Sequence, residues 1–182
     1  MINTIRGLGA FQTLCSRIND KEIFGSLGLL RAAHYAVSAA LYEALERPIL
    51  FLTDRPDQAL LALDEIAFWH PKIDRFLFPA PEPHFYENAA WSMSVRHDRI
   101  QTLTQLTRIL LPGTEKPPLM PLITAPIRSV MQRTLSRQEF IRASKQLRIG
   151  QEISSTGLLR AWNNSGYEAT EAVLEPGQYS RR

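Results

Sequence analysis

Three short, largely apolar runs, Ile49-Leu50-Phe51-Leu52, Arg75-Phe76-Leu77-Phe78 and Leu122-Ile123-Thr124, are separated by segments whose apolar residues recur every three or four positions. Runs of four or so apolar residues suit buried strands, and the three-to-four spacing suits helices packed on one side. Strand and helix in alternation, joined by right-handed crossovers, predict a mostly parallel sheet covered by helices, an α/β fold. Turn and helix-start residues support the same division. Pro48 stops a helix before the first run, and Thr53-Asp54-Arg55-Pro56 opens one after it, with Pro tolerated in the first turn. His70-Pro71 and Pro112-Gly113 end the next two helices, and Pro126 opens another. Pro121 lacks an N–H and restricts the third strand to beginning there or lying at an edge.

The helical segments carry their own expected faces. Ile5, Leu8, Phe11, Leu14 and Ile18 form a stripe across residues 2–18, and Leu30, Ala33, Val37, Ala40/Leu41 and Ala44/Leu45 form one from residue 29 onward. Leu60, Leu61, Leu63, Ile66 and Trp69 are the expected apolar face of the helix after Pro56. Ile100, Leu103, Leu106 and Leu110 are the expected inward residues of a helix over 94–111. Ser136-Arg137-Gln138-Glu139 reads as a capping box, in which the serine hydroxyl and the glutamate carboxylate each satisfy a free backbone N–H. The connection 79–92 has prolines at 79, 81 and 83, and its His84-Phe85-Tyr86 and Trp91 are expected to pin it to the core.

From about Lys145 the pattern changes. Leu147-Arg148-Ile149 alternates like a strand exposed on one face, and Ser154-Ser155 cap a short helix carrying Leu158, Leu159 and Trp162, with Gly166 at its C′ position. Ala172-Val173-Leu174, the turn Glu175-Pro176-Gly177 and Gln178 to Arg182 read as strand, turn, strand. Two domains are therefore expected, 1–143 and 144–182, the second incomplete because the chain stops inside its last strand. Charge divides with them. The chain is +3 overall. Residues 126–182 carry nine Lys/Arg against five Asp/Glu, and Arg128, Arg133, Arg137, Arg142, Lys145 and Arg148 are answered only by Glu139. Such a stretch is either a solvated face or a surface for nucleic acid or an acidic partner. Cys15 stands alone, so no internal disulfide forms, and no apolar run approaches the ~20 residues that span a bilayer. A cytoplasmic protein is expected.

In a fold of this kind, a glycine-bearing turn between a strand and a helix is where a phosphate-binding loop sits, G-x-x-x-x-G-K-[ST]. Gly25 and Gly28 offer such a turn, but the last three positions are Leu30-Arg31-Ala32 counted from Gly25 and Ala33-His34-Tyr35 counted from Gly28. Neither frame has the lysine for the phosphates, the hydroxyl for Mg²⁺ or the second glycine. Arg31 stands as the sole basic residue near the lysine's place.

The stretches GLLRAAHYAVSAALYEALERPILFLTDRPDQALLALDEIAFW, PLITAPIRSVMQRTL and LRIGQEISSTGLLRAWNNSGYEATEAVLEPGQYSRR together resemble the N-terminal region of the transcription-repair coupling factors. PIRSVMQRTL and the ending GY…V…PGQYSRR are the most specific of these. The resemblance implies a module similar to the excision-repair protein UvrB: a first α/β subdomain with a degenerate P-loop, then the start of a small α+β UvrA-binding domain. UvrB itself has a working P-loop and a long aromatic hairpin, and residues 78–94 are too short for such a hairpin. By resemblance, Arg182 falls on a position that contacts UvrA, with Arg181 beside it, and Gly25, Gly28 and Arg31 mark the degenerate turn. The resemblance further implies no catalysis and no cofactor in this part, with ATP and Mg²⁺ held by motor domains elsewhere. It implies UvrA as partner, RNA polymerase and DNA bound through other parts, and an intramolecular contact with the C-terminal domain. The residues alone leave two other readings open: a divergent nucleotide-binding domain using the Gly25–Gly28 turn, and a DNA-binding domain using the Arg128–Arg148 stretch. The four histidines and Cys15 have no ligand-like spacing, and Asp64 and Glu65, adjacent on a helix, diverge too far to act as an acid/base pair.

Overall fold

A computed structural model describes residues 1–81, 91–110, 120–145 and 147–181. The chain forms two compact units, Met1–Arg133 and Thr134–Arg182. The division falls before the Ser136 capping box, so that helix belongs to the second unit.

The first unit opens with two helices, α1 (Ile2–Arg6) and α2 (Gly9–Asn19), where the apolar stripe suggests one. The chain breaks at Gly7, and Leu8, the N-cap of α2, is left exposed. Of the stripe, only Phe11 is buried. After a loop come α3 (Arg31–Leu45), β1 (Ile49–Thr53), α4 (Pro56–Trp69) and β2 (Arg75–Leu77). Then follow α5 (Met93–Leu110), β3 (Leu122–Pro126) and α6 (Ile127–Met131). The three strands are parallel in the order β1-β3-β2, the arrangement that the alternation predicts.

β3 is the central strand and all five of its residues are buried. Two prolines bracket it. Pro121 sits just ahead of it and Pro126 is its last residue, and both are fully buried. Pro121 still serves the ladder through its carbonyl, which accepts from Ile49 N–H at 3.1 Å, while Leu122 N–H donates to Asp74 O at 2.8 Å. Beginning a strand is the role open to a proline in a central position.

Each face of the sheet has its own core. Tyr35, Ala39 and Tyr42 of α3, with Ala62 and Ile66 of α4, pack with Ile73 and Leu122 on one side. Phe76, Phe78, Ile123 and Ala125 pack with Leu103 and Leu106 of α5 on the other. β1 is an edge strand, not the buried strand expected: Ile49 and Phe51 pack on the α3–α4 side, while Leu50 and Leu52 remain 53% and 46% exposed on the opposite side.

The helices turn in faces that only partly match those expected: Ile66 and Trp69 of α4, Ala40 of α3 and Leu103 and Leu106 of α5 pack inward as expected, and other positions do not. α4 buries Ala59, Ala62 and Ile66 and leaves Leu60 and Leu61 about half exposed. α3 buries Tyr35, Ala36, Ala39, Ala40 and Tyr42, and Leu30 lies exposed at its N-cap. Small alanines let two helices and a sheet approach closely, so the alanine-bearing face wins over one richer in leucine. In α5 the buried residues are Val95, Arg99 and Thr102, with Leu103 and Leu106 packed beside them, and the expected Ile100 and Leu110 face outward.

The second unit holds α7 (Arg137–Ala143), α8 (Ser155–Asn164), β4 (Glu168–Ala169) and β5 (Gln178–Tyr179). Both expected caps form. Ser136 and Glu139 make the full capping box, and the Ser154 hydroxyl accepts from Gly157 N–H. At the end of α8, Gly166 has φ +84° and donates to Asn163 O, while Tyr167 N–H reaches back to Trp162 O at 3.0 Å. These are the two backbone bonds of a Schellman ending, and the Trp162–Tyr167 ring stack supplies its apolar contact. The expected strands at 147–149 and 172–174 do not form. Residues 149–150 make a turn with Gly150 at φ +81°, and β5 pairs in parallel with β4, not in a hairpin with 172–174.

Candidate functional site

The Gly25–Gly28 turn does not stand where a phosphate-binding loop would. It follows the helix α2 through a loop, with no strand ahead of it, and Ile23 in that loop is almost fully exposed. Gly28 takes φ +62° and its N–H meets the Ser26 hydroxyl at 3.2 Å. Arg31 is the first residue of α3 and is exposed. Beside the turn lies a cleft of about 560 Å³ lined chiefly by Leu14, Ile18, Phe24, Val37, Leu41 and Phe51, with Ser26, His34 and Ser38 as its polar side chains. No Lys, Arg, Asp or Glu lines it. Walls of this kind suit an apolar group and offer a triphosphate no counter-charge.

The C-terminal segment is built around aromatic rings. Trp162 of α8 lies 5.4 Å from Tyr179 of β5 and 6.1 Å from Tyr167, ring centre to ring centre. The Tyr179 hydroxyl donates to Asn163 Oδ1 at 2.7 Å. The Gln178 side-chain carbonyl accepts from Leu174 and Glu175 N–H, which holds the turn before β5 in shape, and Gly177 at φ +95° completes that turn. Ser180 donates to Glu171 O. These bonds carry the chain out to Arg181, which is exposed, at the end of an anchored strand. An exposed guanidinium there can pair with a partner's carboxylate in two places. Arg182, the other expected contact residue, lies outside the described residues, as do His84, Phe85 and Tyr86.

The basic stretch does not form one surface within one unit. Arg128 and Arg133 belong to the first unit and Arg137, Arg142, Lys145 and Arg148 to the second. Among the described residues no group of His, Cys, Asp and Glu could hold a metal, and no helix is long and apolar enough to cross a membrane.

A further cluster lies at the carboxyl ends of β2 and β3. Arg99 of α5 is 3% exposed. Its Nη1 donates to Pro79 O at 2.8 Å and to Ser129 O at 3.3 Å, so it joins the end of β2 to the start of α6. Its guanidinium carbon lies 4.0 Å from the centre of the Phe78 ring and 5.1 Å from that of Trp91. One turn further along α5, Thr102 donates to Leu77 O at 3.0 Å. Burial makes the Arg99 cation less favourable and lowers its pKa, yet arginine stays charged at any ordinary pH.

No family model matches the chain. It is similar to a transcription-repair-coupling factor. The protein of that name from Bacillus subtilis (strain 168) is 26% identical over 156 residues, which is 85% of this chain and 12% of the relative. The chain thus spans a small part of the relative's length. The similarity is to the same family that the motif-bearing stretches resemble.

Sequence reasoning missed Arg99. The signal was present in the spacing: Val95, Thr102 and Leu106 share the buried stripe of α5, and position 99 lies on it, four residues after Val95 and three before Thr102. A charged residue inside such a stripe asks for a partner.

Proposed function

We propose that this chain is a non-catalytic docking module of a cytoplasmic transcription-repair coupling factor, and that its second unit recruits UvrA during transcription-coupled nucleotide excision repair. The observation that carries this reading is the similarity to the Bacillus factor along 85% of the chain. The anchored β5 strand adds support, because its hydrogen bonds lead to the exposed Arg181, with Arg182 next to it in the sequence Gln178-Tyr179-Ser180-Arg181-Arg182. The apolar, uncharged cleft beside Gly25–Gly28 favours docking over nucleotide hydrolysis. Motor activity, polymerase displacement, DNA binding and the intramolecular contact with a C-terminal domain belong, in this reading, to other parts of the full-length factor.

Calorimetry with purified UvrA tests it. The full-length factor should bind UvrA, and Arg182→Ala should weaken that binding while leaving its melting temperature unchanged. Losing one member of a desolvated charge pair costs about 2 kcal/mol or more, or about thirtyfold in affinity. Arg128→Ala, in the other unit, should change little. Equal losses at both positions would mean that diffuse charge attracts UvrA, and absence of binding by the unmodified protein would end the reading.

A further inference from the structure

Arg99 brings a full positive charge into the first unit and answers only part of it. Nη1 is bonded to two backbone carbonyls, whereas Nη2 is buried and, among the described residues, makes no hydrogen bond. Among the described residues no carboxylate pairs with Arg99; the four ion pairs all lie elsewhere, at Arg6, Arg17, Arg55 and Arg75. Carbonyl dipoles and the Phe78 and Trp91 rings attract a guanidinium without neutralising it. Burying a charge is costly where no opposite charge replaces the water it gave up, and among the described residues none stands beside Arg99.

Its place in the fold is equally specific. Open parallel sheets take their ligands in the crevice outside the carboxyl ends of the strands. Pro79 follows β2 and Ser129 belongs to α6, directly after β3, so Arg99 is held at that end of the sheet by both connections. The Gly25–Gly28 turn and its apolar cleft involve neither of these connections.

We infer that Arg99 is the centre of an oxyanion-binding site at the carboxyl ends of β2 and β3, which takes a small carboxylate or phosphate on its free Nη2. Both groups present oxygens that accept charge-assisted bonds from guanidinium N–H donors. Trp91 stands two residues before the first residue of α5, is only partly buried and lies against the guanidinium, so its ring is the side chain that yields when the anion enters. This site is independent of UvrA docking, because it lies wholly in the first unit and uses neither Arg181 nor Arg182.

The test uses the full 182-residue chain, labelled with ¹⁵N in its arginine side chains. Sodium phosphate, sodium acetate and sodium chloride are titrated separately at matched ionic strength, while the guanidinium resonances and the melting temperature are followed. Phosphate or acetate should move the Arg99 Nη signals to saturation and raise the melting temperature above that in chloride. Arg99→Lys keeps the charge and loses the planar fork, and should weaken the response about tenfold or more. Response to one anion alone would identify the ligand's chemistry within the proposal. Arg99 signals that stay in place with both anions, or a melting response equal in all three salts, would overturn it. Should the lysine variant fail to fold, the titration of the unmodified chain decides by itself.

Discussion

The two units are held together by different means. The first has a sheet with a packed core on each face, and residues such as Ala39, Ala62, Ile66 and Leu122 are fully enclosed. Among the described residues of the second, none is buried. Its order comes from local devices: a capping box, a serine cap, a Schellman ending, two strands of two residues each, and three aromatic rings in contact. Each such device contributes about 0.5–2 kcal/mol, whereas a single large core side chain contributes more. The first unit is therefore shaped by burial and the second by hydrogen bonds close together in sequence.

The largest expected effect tests the first half of this contrast. Ile66→Ala removes a side chain that is completely enclosed between α3, α4 and the sheet, and should cost about 2–5 kcal/mol in chemical denaturation. A loss below about 1 kcal/mol, the size of a surface change, would show that burial is not what holds this unit.

A smaller effect tests the other half. Gly166→Ala forces an L-residue into a left-handed conformation at the end of α8, at a cost of about 1–2 kcal/mol. Hydrogen exchange at Tyr167 and Gly166, whose N–H groups close the Schellman ending, should speed up accordingly. Unchanged exchange would remove that ending from the list of devices that order the second unit.

The smallest effect sharpens the picture of the first core. Burial raises the Asp74 carboxyl pKa, and the charge of Arg108 only partly opposes this. The folded state therefore binds the proton more tightly than the unfolded state does. The ionised group costs stability at neutral pH, and the cost fades as pH falls through the folded-state value. Asp74→Asn should raise the melting temperature slightly at pH 7 and lose that advantage in acid. An advantage that persists unchanged at low pH would point to a cause other than the charge.

What the sequence made readable follows the same contrast. The parallel strands were visible because each apolar run is bounded by prolines or turn residues, and the caps at Ser136 and Ser154 were visible because they depend on residues three apart. The helical faces of α3 and α4 were legible only in part, at Ala40, Ile66 and Trp69, because these helices are apolar on more than one side and periodicity ranks leucine above alanine where close packing prefers alanine. The parallel pairing of Glu168–Ala169 with Gln178–Tyr179 was hidden because two residues carry no period. Of the candidate sites, the missing phosphate-binding residues could be read directly. Arg99 could not, because its significance lies in the carbonyls and rings that other elements bring to it.

The prolines at the two ends of β3, Pro121 just ahead of it and Pro126 as its last residue, also limit which alignments of the sheet can form. A strand can slide past its neighbours by two residues and keep the same side chains facing the same core. Sliding β3 that way in one direction would bring Pro121 into the paired region, and in the other would carry Pro126 inward, each time setting a residue without an N–H against a neighbour's carbonyl. The central strand thus carries a stop at both ends. Both edge strands take their alignment from it, so the one permitted register fixes where β1 and β2 end, and with them the positions of Asp54 and Pro79 at the mouth of the sheet.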